Sequence, residues 1–71
     1  MTKEIDITSE EVRTYVYEDG REYSIANPQK VFVTETGSHR VIDADGWTHR
    51  PELGWIALKW KPRHGQPQFV A

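Results

Sequence analysis

Residues 37–55, GSHRVIDADGWTHRPELGW, gather the side chains of this chain with the most chemistry in them. The stretch carries His39 and His49, Arg40 and Arg50, Asp43 and Asp45, Glu52, and the indoles of Trp47 and Trp55. Imidazoles and carboxylates at this density could ligate a metal, move protons, or recognise a partner. A zinc site needs three or four ligands around one ion. With no Cys in the chain, His64 would have to join His39 and His49, and no tight ligand spacing links the three. Ser38 and His39 are adjacent, and neighbours on a strand point to opposite faces, so they make a poor nucleophile–base pair. Asp43 and Asp45 flank a turn, where carboxylates serve the backbone. Paired acid–base carboxylates need an enclosed site instead. Neither a phosphate-cradling glycine loop nor a G-x-S-x-G elbow is present. The residues therefore nominate no catalytic group, no metal and no cofactor, and the chain is expected to act by binding rather than as an enzyme.

The elements that carry these residues alternate, and helical periodicity is weak. KEIDI, VRTYVY, REYSI, KVFVTET, HRVID, WTHR and WIALKWK read as short strands. Asp19-Gly20 and Asp45-Gly46 sit between alternating runs, which is a hairpin signal because both turn positions favour positive φ. Pro28 lacks a donor and restricts Asn27, so ANPQ breaks the chain. Thr8 and Glu11 have capping-box spacing, but the residues that follow are β-branched and aromatic, so TSEE is read as a turn. The result is an all-β domain over residues 1–71: a small antiparallel barrel or strongly curled sheet of roughly five to seven short strands. Residues 1–9 and 62–71 are expected to be less tightly held, although QFV near the end could add an edge strand. The expected core is Val12, Val16, Tyr23, Ile25, Val31 or Val33, Ile42, Ile56, Leu58 and Trp60.

Register decides which side chains meet. With Asp45-Gly46 as a two-residue loop, Ile42 faces His49 and Val41 faces Arg50. His39 and His49 then point to opposite faces, and His39, Asp43, Arg50 and Glu52 share a polar face. A three-residue loop, Ala44-Asp45-Gly46, would bring His49 opposite Val41, but would also set Arg40 against Arg50. Like charges directly opposite cost a few tenths to about 1 kcal/mol, which favours the shorter loop. The same two-residue reading of Asp19-Gly20 pairs Val16 with Tyr23 and Thr14 with Ile25. It turns Arg13, Tyr15 and Tyr17 to the other face.

Two binding surfaces follow. A single sheet layer cannot cover both of its faces, so Tyr15 and Tyr17 are expected to be partly exposed, and Tyr, Trp and Arg anchor protein interfaces. The expected contacts with a protein partner are Tyr15, Tyr17, Trp47, Arg50, Arg40 and His39. The alternative is a single-stranded nucleic-acid surface. In it Trp55 stacks bases while Lys59, Lys61 and Arg63 meet phosphates, all outside a core row of Ile56, Leu58 and Trp60.

Composition bounds the rest. Residues 1–36 hold four Lys/Arg against eight Asp/Glu, and residues 37–71 hold five against three, so a net charge of −2 hides an acidic half and a basic half. That split can orient a polar partner, while the acidic total weighs against a dedicated nucleic-acid binder. The absence of Cys fits an intracellular, cytoplasmic setting. No apolar run approaches a membrane span, and MTKEIDITSE lacks the apolar centre of a signal peptide. A chain of 71 residues with no staple has a small core, so a homodimer is a natural expectation. In style, a tiny Cys-free, Trp-rich β domain without catalytic motifs resembles the accessory proteins of bacteria and their phages. The expected role is a protein-interaction module, acting as a regulator or inhibitor.

Overall fold

The computed structural model describes residues 2–63. It has seven strands: β1 (Lys3–Asp6), β2 (Glu10–Tyr17), β3 (Glu22–Ala26), β4 (Pro28–Val33), β5 (His39–Asp43), β6 (Thr48–His49) and β7 (Trp55–Pro62). All pairings are antiparallel. One sheet runs β1-β4-β5-β6 and the other β3-β2-β7. The all-β expectation holds, and Thr8 and Ser9 form a turn rather than a helix start. The tail segment QFV and His64 lie outside the described residues.

The three hairpins share one local solution. Each loop has three residues and ends in a glycine: Glu18-Asp19-Gly20, Glu35-Thr36-Gly37 and Ala44-Asp45-Gly46. The glycine N–H donates back to the carbonyl three residues earlier, at Tyr17 (3.0 Å), Thr34 (2.9 Å) and Asp43 (3.0 Å). The glycines have φ of 90°, 85° and 88°, the left-handed region that completes a type I turn with a glycine bulge. The two-residue loops expected at Asp19-Gly20 and Asp45-Gly46 are therefore each one residue too short. In the second hairpin the longer loop lets the Asp43 carboxylate accept from the N–H groups of Asp45 (2.9 Å) and Trp47 (3.0 Å). Charge-assisted bonds of this kind outweigh the penalty for opposed arginines. That penalty also largely lapses, because the ladder ends at Thr48–His49 and leaves Arg50 outside it.

A one-residue slip reverses the faces of one strand relative to its neighbour. In the first hairpin Tyr15 pairs with Tyr23 and Arg13 with Ile25, instead of Val16 with Tyr23 and Thr14 with Ile25. The face of β2 that carries Arg13, Tyr15 and Tyr17 points inward. Val12 and Val16 lie half-buried on the opposite face. Burying two tyrosines removes more apolar surface than burying two valines, provided their hydroxyls find partners.

The core is Ile7, Tyr15, Tyr17, Ile25, Val31 and Val41, with Val33, Trp55 and Leu58 packed against it. Ile25, Val31 and Leu58 sit as expected. Val12, Val16 and Ile42 are only half-buried, while Tyr23, Ile56 and Trp60 are exposed. The chain crosses between sheets at Asn27, whose φ of 50° bends β3 into β4. Asn is among the few non-glycine residues that tolerate this conformation. Its N–H donates to Glu11 O (2.8 Å), and its carbonyl accepts from Ala44 N–H (3.0 Å), so the corner is clamped to both sheets. Pro28 starts β4, where its missing donor does no harm.

Candidate functional site

The inner face of β2 builds a buried polar chain. Arg13 Nη1 donates to Glu10 Oε2 at 2.8 Å, and Arg13 Nε donates to Tyr15 Oη at 3.2 Å. Tyr15 Oη lies 2.7 Å from His39 Nδ1 on β5. Arginine has donors only, so Tyr15 Oη accepts from Arg13 and bridges it to the His39 ring. Trp55 packs against both rings, with centroids 4.9 Å from Tyr15 and 4.9 Å from His39. Burial pushes the Glu10 carboxyl up, and the Arg13 charge only partly offsets it. Glu10 Oε1 is buried and meets no donor among the described residues.

A second chain ties the sheets together at their other margin. His49 Nε2 donates to Asp43 Oδ2 at 2.7 Å, and Tyr23 Oη lies within hydrogen-bond distance of His49 Nδ1 at 2.8 Å. The His49 bond is the main reason the Asp43 carboxyl lies below its usual range, against the effect of burial. The order carboxylate–imidazole–hydroxyl resembles a nucleophile relay. Here, however, it joins β3 of one sheet to the β5–β6 hairpin of the other, and Tyr23 is 41% exposed. Close by, Tyr17 Oη donates to the Glu52 carbonyl at 2.6 Å, and Arg21 Nη1 pairs with Glu52 Oε2 at 3.2 Å. These bonds act as straps between elements.

The expected site residues are scattered. Tyr15 and Tyr17 are core residues, 0% and 6% exposed, and offer nothing to a partner. Their hydroxyls are satisfied internally, which is what makes their burial affordable. His39 is half-buried and bound to Tyr15. Arg40 is half-buried, and its Nη1 donates to Ser38 Oγ at 3.2 Å and to the His39 carbonyl at 3.3 Å. Arg50 and Trp47 are exposed, Trp47 at the foot of the β5–β6 turn. The shared polar face of His39, Asp43, Arg50 and Glu52 does not form: His39 goes to Tyr15, Asp43 to His49 and Glu52 to Arg21. His39 and His49 do not point to opposite faces. Val41 pairs with His49, and His39 shares Val41's parity on β5. Each imidazole is nevertheless committed elsewhere, and no group of three metal-ligating side chains occurs among the described residues.

The nucleic-acid surface is divided as well. Tyr17 pairs with Trp55 and Val16 with Ala57, so Ile56 is an extra residue and β7 is bulged there. Trp55 turns inward onto Tyr15 and His39, away from the face that carries Lys59 and Lys61. Those lysines lie 3.5 Å from Glu22 and Glu11 respectively. Arg63 donates to the carbonyls of Thr8 (3.1 Å) and Glu10 (3.3 Å).

The feature that sequence reasoning missed is the edge of β7. Among the described residues no strand lies beyond it. The other edge strands are poor templates: β1 is charged, β6 has two residues, and β3 presents Glu22 and Ser24. By contrast, β7 has eight residues and no acidic one. Leu58 and Trp60 pair with Tyr15 and Arg13 and so lie on the inner face. Yet Trp60 is 52% exposed, and Ile56 at the bulge is 66% exposed. The pattern WIALKWK was legible as a strand with an apolar row. What it cannot show is that nothing among the described residues covers the row.

The polar chain has a pH signature. His39 lies below the ordinary imidazole range, first through burial and then through the Arg13 charge. A folded-state value below the unfolded one means that the folded chain binds fewer protons. This contribution to stability is complete above about pH 6.5 and is lost as pH falls from there through the folded-state value. The urea midpoint is expected to drop between about pH 7.5 and about pH 5.5, and His39→Gln should flatten that slope. An unchanged slope in His39→Gln would overturn the assignment.

Comparisons of the chain with protein-family models, with curated proteins and with solved structures give no match.

Proposed function

We propose that this chain is a non-catalytic protein-interaction module that takes up an extended strand of a protein partner along the free edge of β7. The observation that carries this reading is the apolar row on that edge, which nothing among the described residues covers, with Ile56 and Trp60 exposed beside half-buried Leu58. Strand addition satisfies the unpaired backbone groups of the edge, and side-chain pockets supply selectivity. Burying a large apolar side chain is worth about 1.5–3 kcal/mol when complete, so two half-exposed anchors supply a useful part of an interface. A module of this kind regulates or inhibits its partner by occupying the strand edge that the partner needs.

The double variant Ile56→Lys/Trp60→Lys tests the reading, since both side chains are exposed and neither belongs to the buried core. Capture of a discrete protein partner from nuclease-treated host lysate should weaken by about tenfold or more, equivalent to about 1.4 kcal/mol. Affinity should change little with salt, whereas phosphate contacts would give a steep dependence. Undiminished capture by the double variant, or capture abolished by nuclease, would sink the proposal.

A further inference from the structure

We infer that the strand taken up by β7 is β7 of a second copy of this chain, paired antiparallel about a two-fold axis at Leu58. The inference rests on the reading that the β7 edge is the docking surface, and names its occupant.

Three observations converge on it. The first is the size of the core: among the described residues, six hydrophobic side chains form the buried cluster of a chain with no Cys. Small domains of this kind commonly complete their core by association. The second is the position of the uncovered row, which continues the core face of β2 through Leu58 and Trp60 to the open margin. A second copy would extend the sheet as β3-β2-β7-β7-β2-β3 and continue the same apolar face across the junction.

The third is that β7 is self-complementary in one register. In a two-fold antiparallel pair, the residue on the axis faces itself, and the others pair symmetrically around it. An axis at Lys59 would set that lysine against itself, and an axis at Trp60 would oppose Lys59 and Lys61 twice. Like charges directly opposite are destabilising. An axis at Ala57 would place Trp60 opposite Gly54, beyond the end of the strand. An axis at Leu58 sets Leu58 against Leu58, Ile56 against Trp60 of the second copy, and Lys59 against Ala57. Every lysine then faces an uncharged residue, and the two exposed apolar side chains cover each other. Lysines and a bulge usually protect an edge from indiscriminate pairing. On β7 the lysines exclude the axes at Lys59 and Trp60, the strand end excludes the axis at Ala57, and the axis at Leu58 remains.

The absence of native Cys makes the register directly testable. Directly opposed Cβ atoms lie about 4.5–5.5 Å apart, near disulfide range, and diagonal ones about 7–8 Å apart. Under mild oxidation Leu58→Cys should form a covalent dimer, while Ala57→Cys and Lys59→Cys alone should cross-link at least about tenfold more slowly. A mixture of Ala57→Cys and Lys59→Cys chains should yield the hetero-dimer. These two exposed positions keep the test valid if Leu58→Cys weakens the fold. Light scattering of the unmodified chain at tens of micromolar should give twice the 8.3 kDa monomer mass, and Ile56→Lys/Trp60→Lys should return it to the monomer. A wild-type monomer, or equal cross-linking at positions 57, 58 and 59, would overturn the inference. If the wild type is monomeric but the double lysine variant still loses a foreign partner, this inference falls and the interaction-module reading stands. If that variant keeps the partner too, both fall.

Discussion

Arg13→Leu is expected to remove most of the stability of this protein. The guanidinium is buried and bonds both Glu10 and Tyr15. Without it, a carboxylate already pushed up by burial loses the opposite charge that stabilises it, and its Oε1 meets no other donor among the described residues. Breaking a buried ion pair by removing one partner costs about 3–5 kcal/mol, against a total of about 5–15 kcal/mol for ordinary domains and less for small ones. Urea denaturation followed by circular dichroism should show a midpoint collapsed towards zero or a chain unfolded in buffer. The double variant Glu10→Leu/Arg13→Leu should recover much of the loss, because two apolar side chains leave no orphaned charge. A single variant that loses less than about 1 kcal/mol would show the pair to be solvated, and the buried-chain description would then be wrong.

Tyr15 should show the second-largest effect, and its two components can be separated. The ring is fully buried between Arg13, His39 and Trp55. Tyr15→Ala opens a cavity and should cost about 3–5 kcal/mol. Tyr15→Phe keeps the ring but leaves Arg13 Nε and His39 Nδ1 without their shared partner, at about 1–3 kcal/mol. The contrast is Tyr23→Phe: its hydroxyl bonds His49 at a surface where water can replace it, so little change is expected. Equal losses for the two phenylalanine variants would mean that the internal chain is worth no more than the exposed strap.

The fold class was legible because its signals are local. Alternating β-branched and aromatic residues specify strands, and Asp-Gly positions specify where the chain turns. These hold whatever the strands pack against. The glycines at 20 and 46 were sound evidence for hairpins, but a glycine serves equally in a two-residue loop and at the end of a three-residue one. The choice moves every later side chain to the other face, so a small local ambiguity became an inverted β2. Tyr15 and Tyr17 passed from proposed contacts to core, while Val12 and Val16 moved outward.

What decided the matter is non-local. Tyr15 can be buried because Arg13 and His39, the latter on another sheet and 24 positions away, satisfy its hydroxyl, and Tyr17 because the Glu52 carbonyl accepts its proton. Nothing in EEVRTYVY says which face meets the opposing sheet, so the sequence does not mark Glu10 and Arg13 as buried. The bulge at Ile56 turned Trp55 inward and divided the basic surface. The open edge of β7 is a property of sheet order. By itself, the sequence determined strands, turns and the apolar row of WIALKWK. Only the tertiary structure decided which faces are buried, which polar groups satisfy one another, and which edge is left open. Burial energy and hydrogen-bond satisfaction depend on partners distant in the chain, and local propensity does not encode them.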